Sequence, residues 1–119
     1  MNKDGPDWPL AGWQVVDLST KIAGPYCSKM LADAGAEIVK VESPDGGDPL
    51  RRWTASGSAL AEGEDGVLFE FLNASKQSIA LDPATPTDRE TLLSLVARAD
   101  LLIEDYGPCL LYTSDAADE

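Results

Sequence analysis

Residues 13–42, WQVVDLSTKIAGPYCSKMLADAGAEIVKVE, decide the fold. WQVVDLS (13–19) is short, apolar and β-branched, with turn-forming residues on both sides, so it reads as a buried strand. Pro25 suits a first helical position, where its missing amide costs nothing. Behind it Tyr26, Met30, Leu31 and Ala34 recur at helical spacing until Gly35 supplies a C-terminal stop. EIVKVE (37–42) is a second strand. Strand, helix and strand with joints this short form a βαβ unit, whose crossover makes the strands parallel and right-handed.

Working outward, residues 43–66 form a long loop with five glycines and the insert DPLRRW. Loops of that length in compact domains are usually functional or disordered. VLFEFLN (67–73) is too short for its period to separate strand from helix, and SIALD (78–82) is strand-like. Thr85 can cap a helix that Pro86 begins, and Asp88 three residues on completes a capping-box pattern. Leu92, Leu95, Val96 and Ala99 line one face of that helix, and DLLIED (100–105) follows as a strand. A second βαβ unit emerges. The expected class is α/β, a Rossmann-like parallel sheet with flanking helices. Residues 1–12 read as a loose lead-in in which Trp8 or Leu10 tucks against the body.

The 119 residues suit one small domain or a piece of a larger one, and the net charge is −12. With nine Lys and Arg, the chain lacks the clustered cations a phosphate backbone requires, so no nucleic-acid partner is expected. There is no histidine, which excludes a Ser-His-Asp triad and an HExxH zinc site within this chain. Cys27 and Cys109 form neither a CxxC pair nor a disulfide framework, so no metal is expected. Without a membrane-length apolar run or a signal-peptide layout, a soluble cytoplasmic protein is expected.

Ligands of open parallel sheets sit outside the carboxyl ends of the strands, so Ser19–Gly24, Glu42–Ser43, Asp82–Thr85 and Asp105–Tyr106 should share one rim. The helix that starts near Gly24 aims its amides at that rim, where they suit a phosphate or carboxylate. Without GxGxxG the same turn also reads as a plain strand-to-helix joint. Glu42 stands near the place of a ribose-binding acid, which keeps a small NAD-type nucleotide module open, while acids at strand ends are commonly just solvated. Arg51, Arg52 and Trp53 form a compact cationic and aromatic group, either a clamp for a phosphorylated ring-bearing ligand or a solvated pair beside a half-buried Trp. Cys27, with no histidine partner, reads as a small buried side chain, Lys40 as a snorkelling or acid-paired strand residue, and Lys76 as a surface residue.

Together VVDLSTKIAGPYCSKMLADAGAEIVKVESPDGGDPLRRW, FLNASKQSIALD and ARADLLIEDYGP resemble, from about Leu10 to Pro108, the amino-terminal part of the class III CoA-transferases. That is the family of formyl-CoA transferase, carnitine CoA-transferase and the bile-acid-inducible enzymes, with α-methylacyl-CoA racemases as relatives. The resemblance implies that coenzyme A, as substrate, is contacted by Lys21, Ile22 and Ala23, by Ser43, by Leu81, Asp82, Pro83 and Ala84, and by Asp105 and Tyr106. Ser43 stands where formyl-CoA transferase has a basic residue. Asp105 stands where the family often has Asn, and its carboxylate would repel an anionic ligand unless protonated or turned away.

The family moves CoA between an acyl-CoA and a carboxylic acid through an aspartyl intermediate, and its full-length chains form interlocked homodimers. The nucleophile lies beyond the last strand here, so no catalytic residue is assigned in this chain. A racemase-like reaction is the alternative within the family. Residues 13–108 are expected to be the CoA-binding part of a larger fold. The tail 109–119, CLLYTSDAADE, leaves the family pattern and resembles translated adapter sequence, as at a truncated reading frame.

Overall fold

A computed structural model describes residues 8–105 apart from 55 and 58; Tyr106 and the 109–119 tail lie outside the described residues. The elements run β1 (Gln14–Asp17), α1 (Ala23–Asp33), β2 (Glu37–Glu42), a 3-10 turn (Pro49–Arg52), α2 (Val67–Leu72), β3 (Gln77–Ala80), α3 (Pro86–Arg98) and β4 (Leu101–Ile103). The four strands make one sheet in the order β3-β2-β1-β4, and every neighbouring pair is parallel. This is the α/β Rossmann-like architecture that the two βαβ units require.

Strand alternation explains how the sheet is covered. Val15 and Ile38 face α1 and pack with Ala32 and Ala36, while Val16, Val41 and Leu81 face α3 and meet Leu92, Leu95 and Val96. The period of two then puts Asp17, Lys40 and Glu42 on the α1 side as well, above Val15 and Ile38. That side is therefore apolar at the amino end of the strands and ionic at the carboxyl end. Leu50, Phe69 and Leu72 form a third cluster between the 3-10 turn and α2.

Two readings change, and one that the sequence left open is settled. Pro25 is the third residue of α1 rather than the first, and α1 buries Pro25, Ser28 and Ala32 while Tyr26 and Met30 are half or more exposed. Small residues win that face because they let the helix lie close on the sheet. Residues 67–72 are helical. Thr85 flanks α3 but makes no side-chain cap. Asp88 instead accepts the amide of Asp82 at 3.0 Å, while the Asp82 carboxylate takes the Ala84 amide at 2.9 Å. The box fails because Asp82, a better acceptor than a hydroxyl, already organises the joint.

Candidate functional site

Parallel strands bring their carboxyl ends to one edge, and pairing continues past them: Leu18 donates to the Ile103 carbonyl at 2.8 Å and Leu81 to that of Glu42 at 3.0 Å. At this edge the Ser19–Pro25 turn joins β1 to α1. Its Thr20 amide donates to Asp105 Oδ2 at 3.0 Å and its Lys21 amide to Asp48 Oδ1 at 3.0 Å. Lys21 itself takes φ of 69°, in the left-handed region.

Gly24 has a packing reason to be glycine, because a Cβ there would fall 2.0 Å from Ser19 Oγ. Ile22, at the N-cap, provides no side-chain cap. The amides of Ile22, Ala23 and Gly24 consequently have no acceptor among the described residues, and they open at the positive end of α1.

Beneath the turn lies an ionic layer, in which Lys40 is acid-paired, one of its two sequence readings. Lys40 Nζ sits 3.0 Å from Asp48 Oδ2 and donates to the Ser19 carbonyl at 3.0 Å. Lys76 Nζ donates to the Pro25 carbonyl at 3.0 Å and to Asn73 Oδ1 at 2.7 Å, and lies 3.5 Å from Asp17 Oδ2. Asp17 also accepts the amide of Ser19 at 2.8 Å and the hydroxyls of Ser19 and Ser28. All four charged side chains are 0 or 1% exposed. Lys76 is thus a buried residue, not a surface one, and burial pulls its amine down to about 8 despite the attraction of Asp17.

A second network ties the long loop to β2. Glu42 Oε1 accepts the Asp48 amide at 2.7 Å and Arg51 Nε at 2.9 Å, while Oε2 accepts Arg51 at 2.7 Å and the Ser78 hydroxyl. Burial alone would raise the Glu42 carboxyl, but the hydrogen bonds from Arg51, Ser78 and Asp48 and the charge of Arg51 outweigh it, leaving it near 2. Arg51 also pairs with Asp65 at 2.8 Å and lies 4.1 Å from the centre of the Phe69 ring. Both sequence readings of these residues therefore change. Arg51 is structural rather than half of a ligand clamp, and Glu42 is too fully engaged to meet a ribose.

The remaining candidates divide by position. Lys21, Ile22, Ala23, Ser43, Pro83, Ala84 and Asp105 are exposed at the carboxyl edge. The turn and Asp105 are in direct contact, and the Asp48 bond joins the turn to the loop that Ser43 opens. Leu81 is buried in the α3-side core, so what it presents is main chain. Asp82 lies at the end of β3, the outermost strand next to β2. Arg52 is exposed and donates to the Gly46 carbonyl at 2.8 Å, which places it on the Ser43–Gly47 turn. Cys27 is exposed, contrary to the buried reading, because α1 turns Ser28 rather than Cys27 toward the sheet. Among the described residues no group of three or more His, Cys, Asp or Glu could hold a metal, and no helix is long and apolar enough to cross a membrane.

Comparison with known proteins bears on the family and the fold. Succinyl-CoA:mesaconate CoA-transferase of Haloarcula hispanica is 44% identical over 96 residues, covering 78% of this chain and 23% of the relative. Succinate–glutarate CoA-transferase of Agrobacterium fabrum is 39% identical over 100 residues, covering 82% and 25%. The crystal structure of a CAIB/BAIF family protein from Brucella suis superposes with a TM-score of 0.77 at 40% identity, over 88% of this chain and 28% of that one. The chain spans about a quarter of the length of the curated relatives it matches. The sequence model for CoA-transferase family III matches residues 10–112, nearly the whole chain, and the chain belongs to that family.

Proposed function

We propose that residues 13–108 form the CoA-binding portion of a class III CoA-transferase, which moves CoA between an acyl-CoA and a carboxylic acid. The observation that carries the reading is the Ser19–Pro25 turn, whose Ile22, Ala23 and Gly24 amides have no acceptor among the described residues and open at the strand edge of a family III chain. Three unpaired amides at a helix start can donate to phosphate oxygens without a glycine trio. Lys21 and Arg52, both exposed at this edge, supply the local positive charge that a chain of net charge −12 otherwise lacks. Arg52 offers the loop after β2 a cation where Ser43 has none.

Asp105 spends Oδ2 on the Thr20 amide, which offsets part of the repulsion its carboxylate would exert on an anion there. The rim loops would orient the nucleotide end of CoA, with Ser43, the Leu81–Ala84 main chain and Tyr106 completing the contacts. Thioester chemistry through an aspartyl intermediate would fall to a carboxylate outside this chain, and the active assembly would be an interlocked homodimer in the cytoplasm. The residues before Leu10 are a lead-in, and the family pattern ends within the tail, since the family match stops at residue 112. Engagement of Glu42 by Arg51, Ser78 and Asp48 argues against an NAD module.

Titration calorimetry of the chain with CoA, 3′-dephospho-CoA and NAD tests the reading. CoA should bind, Lys21→Glu should abolish detectable binding, and NAD should give no heat. NAD binding with none for CoA would overturn it.

A further inference from the structure

The Ser19–Pro25 turn has little local reason to hold its shape. Lys21 occupies the left-handed region, which a residue with a Cβ adopts only at a cost. Ile22 gives α1 no side-chain cap, and the first turn of α1 contains no acidic residue. Within the segment the close seat of Gly24 on Ser19 sets how near the turn comes to β1, but no side-chain cap fixes where its three open amides point.

What surrounds it is specific. Two buried Lys–Asp pairs approach from beneath, and in each the lysine and the aspartate hold different main-chain groups of this one segment. Lys40 takes the Ser19 carbonyl while its partner Asp48 takes the Lys21 amide. Lys76 takes the Pro25 carbonyl while its partner Asp17 takes the Ser19 amide. The two lysines thus grip the two ends of the turn. Buried ion pairs are poor devices for stability alone, because apolar side chains of the same volume do as well or better. Lysine amines can do here what apolar residues cannot, which is to fix two carbonyls in place.

We propose that Lys40 and Lys76 are positioning residues that hold the Ser19–Pro25 turn in its anion-ready form and so set the affinity of the edge for the phosphates of CoA. Neither touches the ligand. The role in affinity rests on the CoA reading above, whereas the role in holding the turn does not.

The test uses the whole chain and two readouts. Lys76→Met, and Lys40→Met combined with Asp48→Asn so that no lone charge is buried, are compared with the unaltered chain by amide hydrogen exchange without ligand. In the variants, Thr20 and Lys21 should exchange at least about tenfold faster while Ile38–Val41 in β2 stay protected. Lys76→Arg, which keeps a donor, should restore most of the protection. Calorimetry on the same samples, well below their unfolding temperatures, should show CoA affinity falling about tenfold, since a disordered turn must be ordered on binding.

Uniform loss of protection across the sheet, or an unaltered turn, would overturn the proposal and leave the lysines a merely structural role. A loosened turn that binds CoA as tightly as before would overturn the role in affinity. If the unaltered chain bound no CoA, the CoA reading and with it the affinity role would fall, while the exchange data would still decide whether the lysines hold the turn. Should Lys76→Met fail to fold, the Lys40 and Asp48 double variant decides by the same criteria.

Discussion

At Gly24 one missing methyl group sets how close the turn comes to β1. Ser19 cannot step aside, because its amide and hydroxyl are both bonded to Asp17. Gly24→Ala should therefore destabilise the chain by about 1–3 kcal/mol, the usual cost of overpacking. Urea denaturation measures this, and adding Ser19→Gly, which removes the obstructing atoms, should recover part of the loss. Glu42 carries a different prediction. Its carboxyl lies near 2 in the fold against 4.5 when free, so its contribution is whole above 4.5 and drains away as the pH falls toward 2. Arg51→Met removes the main support of that shift. The variant should lose about 3 kcal/mol at neutral pH and show a flatter stability profile over that acid window than the unaltered chain, read from urea midpoints at each pH. Equal profiles would mean that Arg51 is not what holds the carboxylate ionised.

Among the elements, β1 and β2 form the stable centre and α3 the weaker flank. Ile38 in β2 is 2% exposed, whereas α3 has no fully buried residue and presents Leu92, Leu95 and Val96 only partly covered. Ile38→Ala should cost about 3–4 kcal/mol through lost transfer energy and a cavity, and Leu95→Ala about 1–2 kcal/mol. Hydrogen exchange should rank the elements the same way, with α3 amides opening before those of β2. The long loop between β2 and α2 behaves as part of the structure. Asp48 and Arg51 within it are hydrogen-bonded to Glu42, and the Gly66 amide donates to the Arg51 carbonyl at 2.8 Å. The carboxyl edge of the sheet thus rests on a braced loop rather than a free one.

At the scale of the whole molecule, several large apolar side chains among the described residues remain in water. Val67 is 81% exposed, and Phe71, Leu68 and Trp53 are all above 40% on the same flank. With Leu60 they line a hollow of about 880 Å³. Exposed apolar surface on this scale favours association, and the charge of −12 opposes it. Sedimentation velocity should therefore show association that grows with protein concentration and increases when salt shortens the screening length from about 10 Å to about 3 Å. Val67→Glu with Phe71→Lys should suppress it without moving the unfolding midpoint by more than a few degrees. A monodisperse monomer at high salt and high concentration would count against this flank being sticky.

Much of this molecule was determined by its sequence alone. The β-branched runs, the Gly35 stop and the short joints dictate parallel βαβ units, and parallel strands dictate that residues 19–24, 43, 82 and 105 meet at one edge. Those are local consequences of periodicity and chain geometry, so no partner from elsewhere in the chain is needed to see them. The partners of Lys40, Lys76, Glu42 and Arg51 were decided only by the tertiary structure. Lys76 looks solvated among its neighbours in sequence and is buried because the chain before β3 passes under the start of α1, 51 positions earlier in the chain. Arg51 looks available and is spent because the loop folds back on Glu42. Burial and charge pairing depend on which segments cross in space, and a linear pattern has no term for that.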